Sequence, residues 1–379
     1  MSIVESPLYL FSLTGLVCLA WLLPIRVVPT VLALSSTLFL ALFSPWSLMV
    51  LLGVTIMTGV AAINRHHYRW AIPAAIFIFV LSFILYRLLG VSAAIGADMV
   101  VLGMAFYILR AIHLLIEFYT GRCDRLSWRD LLTWLWFLPT LQVGPINRFP
   151  EFRRDLARRR WDSELFALGL QRLLFGYTKI IVIGNYLIGI KLLAWVDSFP
   201  QETWMYHYMD AVYYGLHLYF MFSGYSEVAI GFALLLGFRV GENFRFPFLA
   251  ADIGDFWKRW HMSLSSWCRD YIYMPVFSVT RFPALAAVAS MLVLGIWHEL
   301  SLRYLFWGIW HGVGVAVCQS WKKTQMANFF NSGWRHILWN PIARLMTLNF
   351  VILSFTFTGV ESLDMTLERW EILLRAFGL

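Results

Sequence analysis

The chain has 379 residues, of which 60% are hydrophobic, 17% aromatic and only 14% charged, with a formal net charge of +8. A soluble domain averages about 45–50% apolar and about 25% charged residues, so the composition, with a mean hydropathy of +0.68, excludes an ordinary aqueous protein. The basic excess does not argue for nucleic acid, because the arginines and lysines fall in short gaps between apolar runs, as in loops that face anionic lipid.

A spanning helix needs about 20 mostly apolar residues. In chain order, the runs that predict one are 7–24, 29–44, 47–63, 70–88, 98–119, 164–196, 205–238, 282–298, 303–321 and 337–360. The runs 164–196 and 205–238 exceed one crossing and are expected to tilt or break. Segment 127–146 is apolar but carries Pro139, Gly144 and Pro145, which predicts a re-entrant element. Segment 254–276 mixes Trp and Tyr with Lys258, Arg259, Arg269 and Asp270. It is too charged to span and reads as a helix in or near the interface. No linker or low-complexity stretch divides the chain, so one membrane-embedded domain over 1–379 is expected. The first apolar run starts near Leu8 with no basic residue ahead of it, so no cleavable signal is expected. Cys18, Cys123, Cys268 and Cys318 show no CxxC pair, which argues against a disulfide framework or a zinc site.

Basic residues set the orientation. Arg26, Arg65 with Arg69, Arg122–Arg129, Arg148–Arg160, Arg239–Arg245 and Lys322–Lys323 mark one side; the gaps at 45–46, 89–97 and 197–204 carry no Lys or Arg. Placing the basic set in the cytoplasm puts the N-terminus outside and alternates through the runs if 127–146 does not cross. The richest gap, RFPEFRRDLARRRW (148–161), reads either as an anchor on anionic lipid or as a docking surface for an acidic partner.

Ionisable groups in apolar context are costly and therefore functional candidates. His298 and Glu299 end the run GIWHE; His298 can exchange a proton near neutrality or serve as a structural histidine, and Glu299 can orient it or mark the helix end. His311 lies in WGIWHG, 13 residues on, where both rings can reach one cavity. No HExxH spacing supports a metal there. His261 sits in FWKRWHMSLS with Arg259, a set that suits either an aromatic belt or the binding of a phosphate or oxyanion. Tyr219, Ser223 and Ser226 share one helix face (i, i+4, i+7), and Glu227 beside them needs an Arg or His partner from another helix.

At these places the sequence resembles the membrane-bound O-acyltransferase superfamily, in its bacterial branch. The resemblance covers about residues 98–320. It runs through LGMAFYILRAIHLLIEFYTG (102–121), FLPTLQVGPINRF (137–149), LYFMFSGYSEVAIGFALLLGF (218–238), ENFRFPFLAADIGDFWKRWHMSLSSWCRDYIYMPV (242–276) and GIWHELSLRYLFWGIWHG (295–312). It implies an all-α polytopic fold of about 10–12 transmembrane helices around a central funnel, with re-entrant and interfacial helices. His298 matches the family's catalytic histidine, His261 a second functional histidine, and His311 a supporting one. Arg259, Trp297, Tyr219, Ser223, Glu227 and Asn243 fall at supporting or substrate-binding positions. Met221 and Glu227 stand where bacterial members usually show Asp, and Glu299 where Gly usually follows the catalytic histidine, which bears on the acceptor.

Two subfamilies fit, one O-acetylating exported polysaccharides such as alginate, the other passing D-alanine toward teichoic acids. The short join between Tyr273 and Gly295, and LNFVILSFTFTGV (348–360), lean toward the second. The resemblance implies a thioester donor, acyl-carrier protein or acyl-CoA, on the cytoplasmic side of a bacterial inner membrane. It also implies no tightly bound cofactor, and an extracytoplasmic acyltransferase or acceptor protein as partner. His298 would act as general base or be transiently acylated, with Arg259 and His261 holding the donor. The reading from a different class is a proton-coupled secondary transporter relaying through Glu227 and His217; the lack of a visible inverted repeat counts against it.

Overall fold

The computed structural model describes residues 3–88, 101–330, 332, 335–376 and 378, and among these all regular structure is helical. The helix starts follow from capping chemistry. Ser6 accepts Leu8 N–H ahead of Pro7, and Ser44 accepts Ser47 N–H ahead of Pro45. Ser127, Asp252, Ser301 and Ser362 cap their own helices in the same manner. Among the described residues five helices are long and apolar enough to cross a membrane: Pro45–His66, Ala71–Leu88, Ser163–Val196, Trp204–Leu235 and Ile337–Thr358. Pro7–Leu22, Val28–Phe43 and Pro283–His298 are apolar but shorter. The described residues thus form an all-helical, multi-pass membrane protein. The run expected at 98–119 appears as Met104–Tyr119, and its beginning lies outside the described residues, as does the gap at 89–97.

The two long runs do not break. Trp204–Leu235 is α-helical for 32 residues, about 48 Å at about 1.5 Å per residue, so it outruns a hydrocarbon core of about 30 Å. Ser163–Val196 continues for 34 residues but widens to π-helix over Thr178–Leu192. The chain forms two compact units, Met1–Tyr177 with Tyr225–Glu242, and Thr178–Gly224 with Asn243–Leu379.

In the first unit the segment expected to be re-entrant forms no spanning helix. Trp128–Leu135 is an eight-residue helix, Leu138–Thr140 a single turn, and the chain then runs without helix to Phe149. Non-helical backbone in an apolar setting must find partners within the protein. Arg110, wholly buried in Met104–Tyr119, supplies them: it donates to the carbonyls of Trp134 (3.2 Å) and Thr140 (3.2 Å) and to the side-chain oxygens of Thr140 and Asn147 (both 3.4 Å). The Ser36 hydroxyl donates to the Trp136 carbonyl, and the Trp136 indole to Thr55 at 2.8 Å. Arg159 plays a similar part, donating to the carbonyls of Leu236 (2.7 Å) and Ala20 (3.0 Å) with its guanidinium 3.8 Å from the Trp21 ring centre.

In the second unit Pro283–His298 and Leu302–Trp321 form a helical hairpin whose backbones nearly touch. A Cβ at Gly295 would lie 2.3 Å from the Tyr304 carbonyl oxygen, and one at Gly308 would lie 2.8 Å from that of Met291. Small residues permit this approach, and in a membrane such packing holds helices together. Segment 254–276, expected as one helix, is instead two: Ile253–Trp257, and after a break a helix from Met262 that runs on unbroken, α-helical over Met262–Cys268, π-helical over Arg269–Tyr273 and α-helical again over Met274–Thr280. The break falls at His261, whose φ of 43° and ψ of 54° are left-handed. No α-helix continues through that geometry.

Candidate active site

Three histidines converge in the second unit. A cavity of about 90 Å³ is bounded by His261, His298 and His311 together with Tyr214, Leu218, Phe222, Phe256, Trp257, Trp260, Tyr304, Trp307, Val351, Ser354, Phe355 and Thr358. Each histidine arrives from a different local structure. His298 is the last residue of Pro283–His298, and His311 lies mid-helix in Leu302–Trp321, so the glycine-packed hairpin fixes the two against one another. His261 is delivered by the left-handed turn.

Tryptophans pack beside the rings. Trp307 lies 5.8 Å from His298 and 4.7 Å from His311, centre to centre, and Trp297 lies 4.7 Å from His298 and 6.1 Å from His261. Phe222 meets His261 edge-on at 4.6 Å, and Trp257 meets His311 edge-on at 5.1 Å. Among the described residues no group of three His, Cys, Asp or Glu is placed to hold a metal ion. His261 and His311 are 2% and 1% exposed. His261 Nε2, His311 Nδ1 and Trp257 Nε1 have no hydrogen-bond partner. A buried polar atom left so costs about 1–3 kcal/mol, so the cavity wall carries hydrogen-bonding capacity that the protein itself does not use.

The left-handed turn is held from outside. The Asn243 carbonyl accepts Met262 N–H at 2.9 Å, and the Arg259 carbonyl accepts Arg245 N–H at 2.9 Å. Asn243 is fully buried. Asp252 caps the preceding helix, accepting Asp255 N–H at 2.9 Å, and pairs with Lys322 at 2.8 Å. Partial burial pushes the Asp252 carboxyl up, but the hydrogen bond and charge of Lys322 outweigh it and leave the group below the usual carboxylate range.

Other expected residues fall elsewhere. Tyr219 and Ser223 are not on the cavity wall; the lining face of that helix is Tyr214, Leu218 and Phe222, about 100° around from them. Tyr219 packs on Phe244, Phe248 and Trp260, while Ser223 is buried with its hydroxyl unpartnered. Arg259 is off the wall as well and pairs with Asp255 at 2.9 Å. Glu299 marks the helix end, with both its oxygens on Arg303 at 2.7 and 2.9 Å. Glu227 has the arginine partner its setting demanded: Arg172 at 2.7 Å, which also binds Glu242 at 2.6 Å. His217 stacks on Tyr213 at 5.8 Å. Sequence reasoning missed Tyr214, Leu218, Phe222 and Tyr304. The i, i+4, i+8 spacing of the first three was the available signal.

Residues 31–360 match the model of the MBOAT, or membrane-bound O-acyltransferase, family, and the chain belongs to that family. Among its relatives is a probable alginate O-acetylase of Pseudomonas fluorescens, 32% identical over 272 residues, covering 69% of this chain and 52% of that protein. The teichoic acid D-alanyltransferase of Bacillus subtilis is 29% identical over 271 residues, 68% of this chain and 66% of that protein. The peptidoglycan O-acetyltransferase of Helicobacter pylori is 28% identical over 247 residues, 63% of this chain and 45% of that protein. The aligned region thus spans about half the length of the first and third of these relatives.

Proposed function

We propose that the chain is an O-acyltransferase that moves a small acyl group from a thioester donor toward a hydroxyl of a cell-envelope polymer or of a partner protein. The observation that carries this reading is the convergence of His261, His298 and His311 on one cavity whose wall holds unused hydrogen-bonding atoms. His298 takes the proton from the acceptor hydroxyl, whose oxygen attacks the thioester carbonyl. The carbon–sulfur bond then breaks, and the departing thiolate takes the proton back from His298. The Trp257 indole N–H and the His261 ring lie on the same wall and would stabilise the oxyanion that forms between these steps. Family membership supports the reaction class, and the activities for which the three relatives are named support an envelope acceptor.

In this reading the protein sits in a bacterial inner membrane with its N-terminus outside, and the donor, an acyl-carrier protein or acyl-CoA, meets it on the cytoplasmic side. Of the arginines in 148–160, Arg159 is spent on backbone carbonyls and Arg153 pairs with Asp130 at 3.5 Å. Arg154 and Arg158 instead line an open pocket of about 370 Å³ with Arg239, Glu151 and Asp155. That pocket suits a donor phosphate or an acidic carrier face. Deleting the gene should remove alkali-labile acyl esters from an envelope polymer. Complementation with wild type should restore them, and His298→Ala, present at equal level in the membrane, should not. Full restoration by His298→Ala sinks the assignment.

A further inference from the structure

We propose that the second unit binds one phospholipid of the bilayer with an anionic head, seated between Leu302–Trp321 and Arg335–Thr358. This place is apart from the three histidines, and a lipid there is independent of the reaction assigned to them. A groove of about 800 Å³ opens between the two helices. Its walls are apolar, with Phe306, Val313 and Val317 from one helix and Ala343, Met346 and Phe350 from the other. The helices press together at Gly314, where a Cβ would lie 2.5 Å from the Phe350 ring. Further along, Trp321 and Trp339 bridge them through Phe330, whose ring lies 6.4 and 4.7 Å from theirs.

Size and position decide the occupant. Ile337–Thr358 is long and apolar enough to cross the membrane, and Val313, Val317 and Met346 are 48%, 62% and 60% exposed. The groove therefore opens to hydrocarbon and not to water. A further helix is too thick: at about 10 Å across, over the roughly 24 Å from Phe306 to Lys322, it would fill about 1,900 Å³, more than twice the space. Acyl chains are thin and bend. With a methylene taking about the room of a water molecule, some 30 Å³, the groove holds roughly 25 of them, most of the two tails of a phospholipid.

The polar end selects the head. Lys322 and Asn340 line it, Lys323 follows in sequence, and Arg344 donates from Nε to the Asn340 side-chain oxygen at 2.9 Å. Two carboxylates stand nearby. Asp252 pairs with Lys322 at 2.8 Å, and Asp255 is held by its own partner, Arg259, at 2.9 Å. An ammonium has three N–H donors, and Lys322 stays half exposed, so it can reach a phosphate without leaving Asp252. Lys322, Lys323 and Arg344 against Asp252 leave an excess of positive charge. Basic groups between membrane helices at the cytoplasmic leaflet, where the topology above places Lys322–Lys323, attract acidic phospholipid heads.

The lipid is a support and not a substrate. Among the described residues no histidine lines the groove. Asp252 on its wall caps the helix that carries Phe256 and Trp257, and Phe350 reaches His311 at 5.7 Å. A filled groove thus buttresses the histidine cavity from behind.

The test is native mass spectrometry on the full chain, purified in detergent and stripped of native lipid. It is titrated with dioleoylphosphatidylglycerol and, separately, with dioleoylphosphatidylcholine, which has the same tails and no net charge. The expected result is one phosphatidylglycerol per chain, bound more tightly than phosphatidylcholine. A basic residue beside an anionic head is worth about fivefold in affinity. Lys323→Gln with Arg344→Gln spares the Lys322–Asp252 pair and should weaken phosphatidylglycerol about 25-fold, with phosphatidylcholine unchanged. Ala343→Trp fills the groove from its wall and should weaken both lipids. Size exclusion establishes that each variant is folded; Lys323→Gln alone, at about fivefold, replaces the double variant if that one is not. Equal affinity for the two lipids, wild-type phosphatidylglycerol binding by the charge variant or by Ala343→Trp, or uptake of neither lipid overturns the proposal. So does a dimer that excludes lipid, which would give the groove to a second copy of the chain.

Discussion

The side-chain oxygen of Asn243 accepts a 2.6 Å hydrogen bond from the hydroxyl of Ser263, so a residue 20 positions away grips the chain just beyond His261. With the Asn243 carbonyl on Met262 N–H, this grip holds a conformation that costs a non-glycine residue about 1–3 kcal/mol. Asn243 touches no cavity surface and is a positioning residue. Asn243→Ala should lower turnover by about tenfold or more, a barrier change of about 1.4 kcal/mol, with acceptor KM nearly constant. Asn243→Asp keeps an oxygen acceptor and should recover most of the rate. Equal turnover for Asn243→Ala and wild type in steady-state assays would remove the positioning role.

The three histidines should separate by phenotype. His298→Ala should abolish measurable transfer, since removing a general base typically costs about 10²–10⁴-fold, and should leave detergent stability close to wild type. His311 is packed between Trp257, Trp307 and Phe350. His311→Ala should therefore cost more in thermal stability and less in rate. Glu299→Gln weakens the link to Arg303 at the turn after His298 and should give a moderate loss of both. Parallel rate and melting measurements on the three variants check the order; a His298→Ala protein near full activity would refute it.

Charge reversal at Arg154 and Arg158 should weaken donor binding, and the loss should shrink as salt rises, because screening removes the attraction in the wild type too. Titrating donor against wild type and variant at low and high ionic strength reads this directly. Unchanged donor affinity in a folded double variant would leave the cluster as a lipid anchor alone. A single cysteine at position 158 should label only from the cytoplasmic side, and labelling from outside would invert the proposed topology.

Asp252 gives a pH dependence of stability. Its carboxyl is held below its ordinary value of 3.8 in the folded protein. A depressed folded pKa contributes stability that is present above the unfolded value and is lost as the pH falls through the folded one. Asp252→Asn should therefore melt lower than wild type at neutral pH, and the gap should close in acid below the usual carboxylate range. Because Asp252 caps the helix that carries Phe256 and Trp257, cavity-dependent activity should fall with it. A melting gap that stays constant with pH would show that Lys322 is not the cause.

Much of this was legible in the chain because membrane physics writes itself in long runs. Apolar length located Pro45–His66, Ala71–Leu88 and Ser163–Val196 to within a few residues, and a carboxylate in a long apolar run required the partner that Arg172 supplies. The three histidines were visible as polar residues where polarity is costly. What local pattern could not show was the break at His261, since the strain there is held by Asn243 and not by a glycine or proline nearby. Nor could it fix the helical phase that turns Phe222 toward the cavity and Tyr219 away, because both sides of that helix are aromatic.

Arg110 also bears on how the protein is made. An arginine at the centre of a helix raises its cost of insertion into the bilayer by about 2.5–3.5 kcal/mol, and Met104–Tyr119 carries Glu117 as well. The acceptors that relieve Arg110 belong to Trp134, Thr140 and Asn147, which the ribosome delivers later. Met104–Tyr119 should therefore wait at the translocon until residues 128–148 have been synthesised, and partition together with them. In a glycosylation-reporter insertion assay, a chain truncated after residue 121 should insert poorly and one extended past residue 149 well. Arg110→Leu should erase the difference.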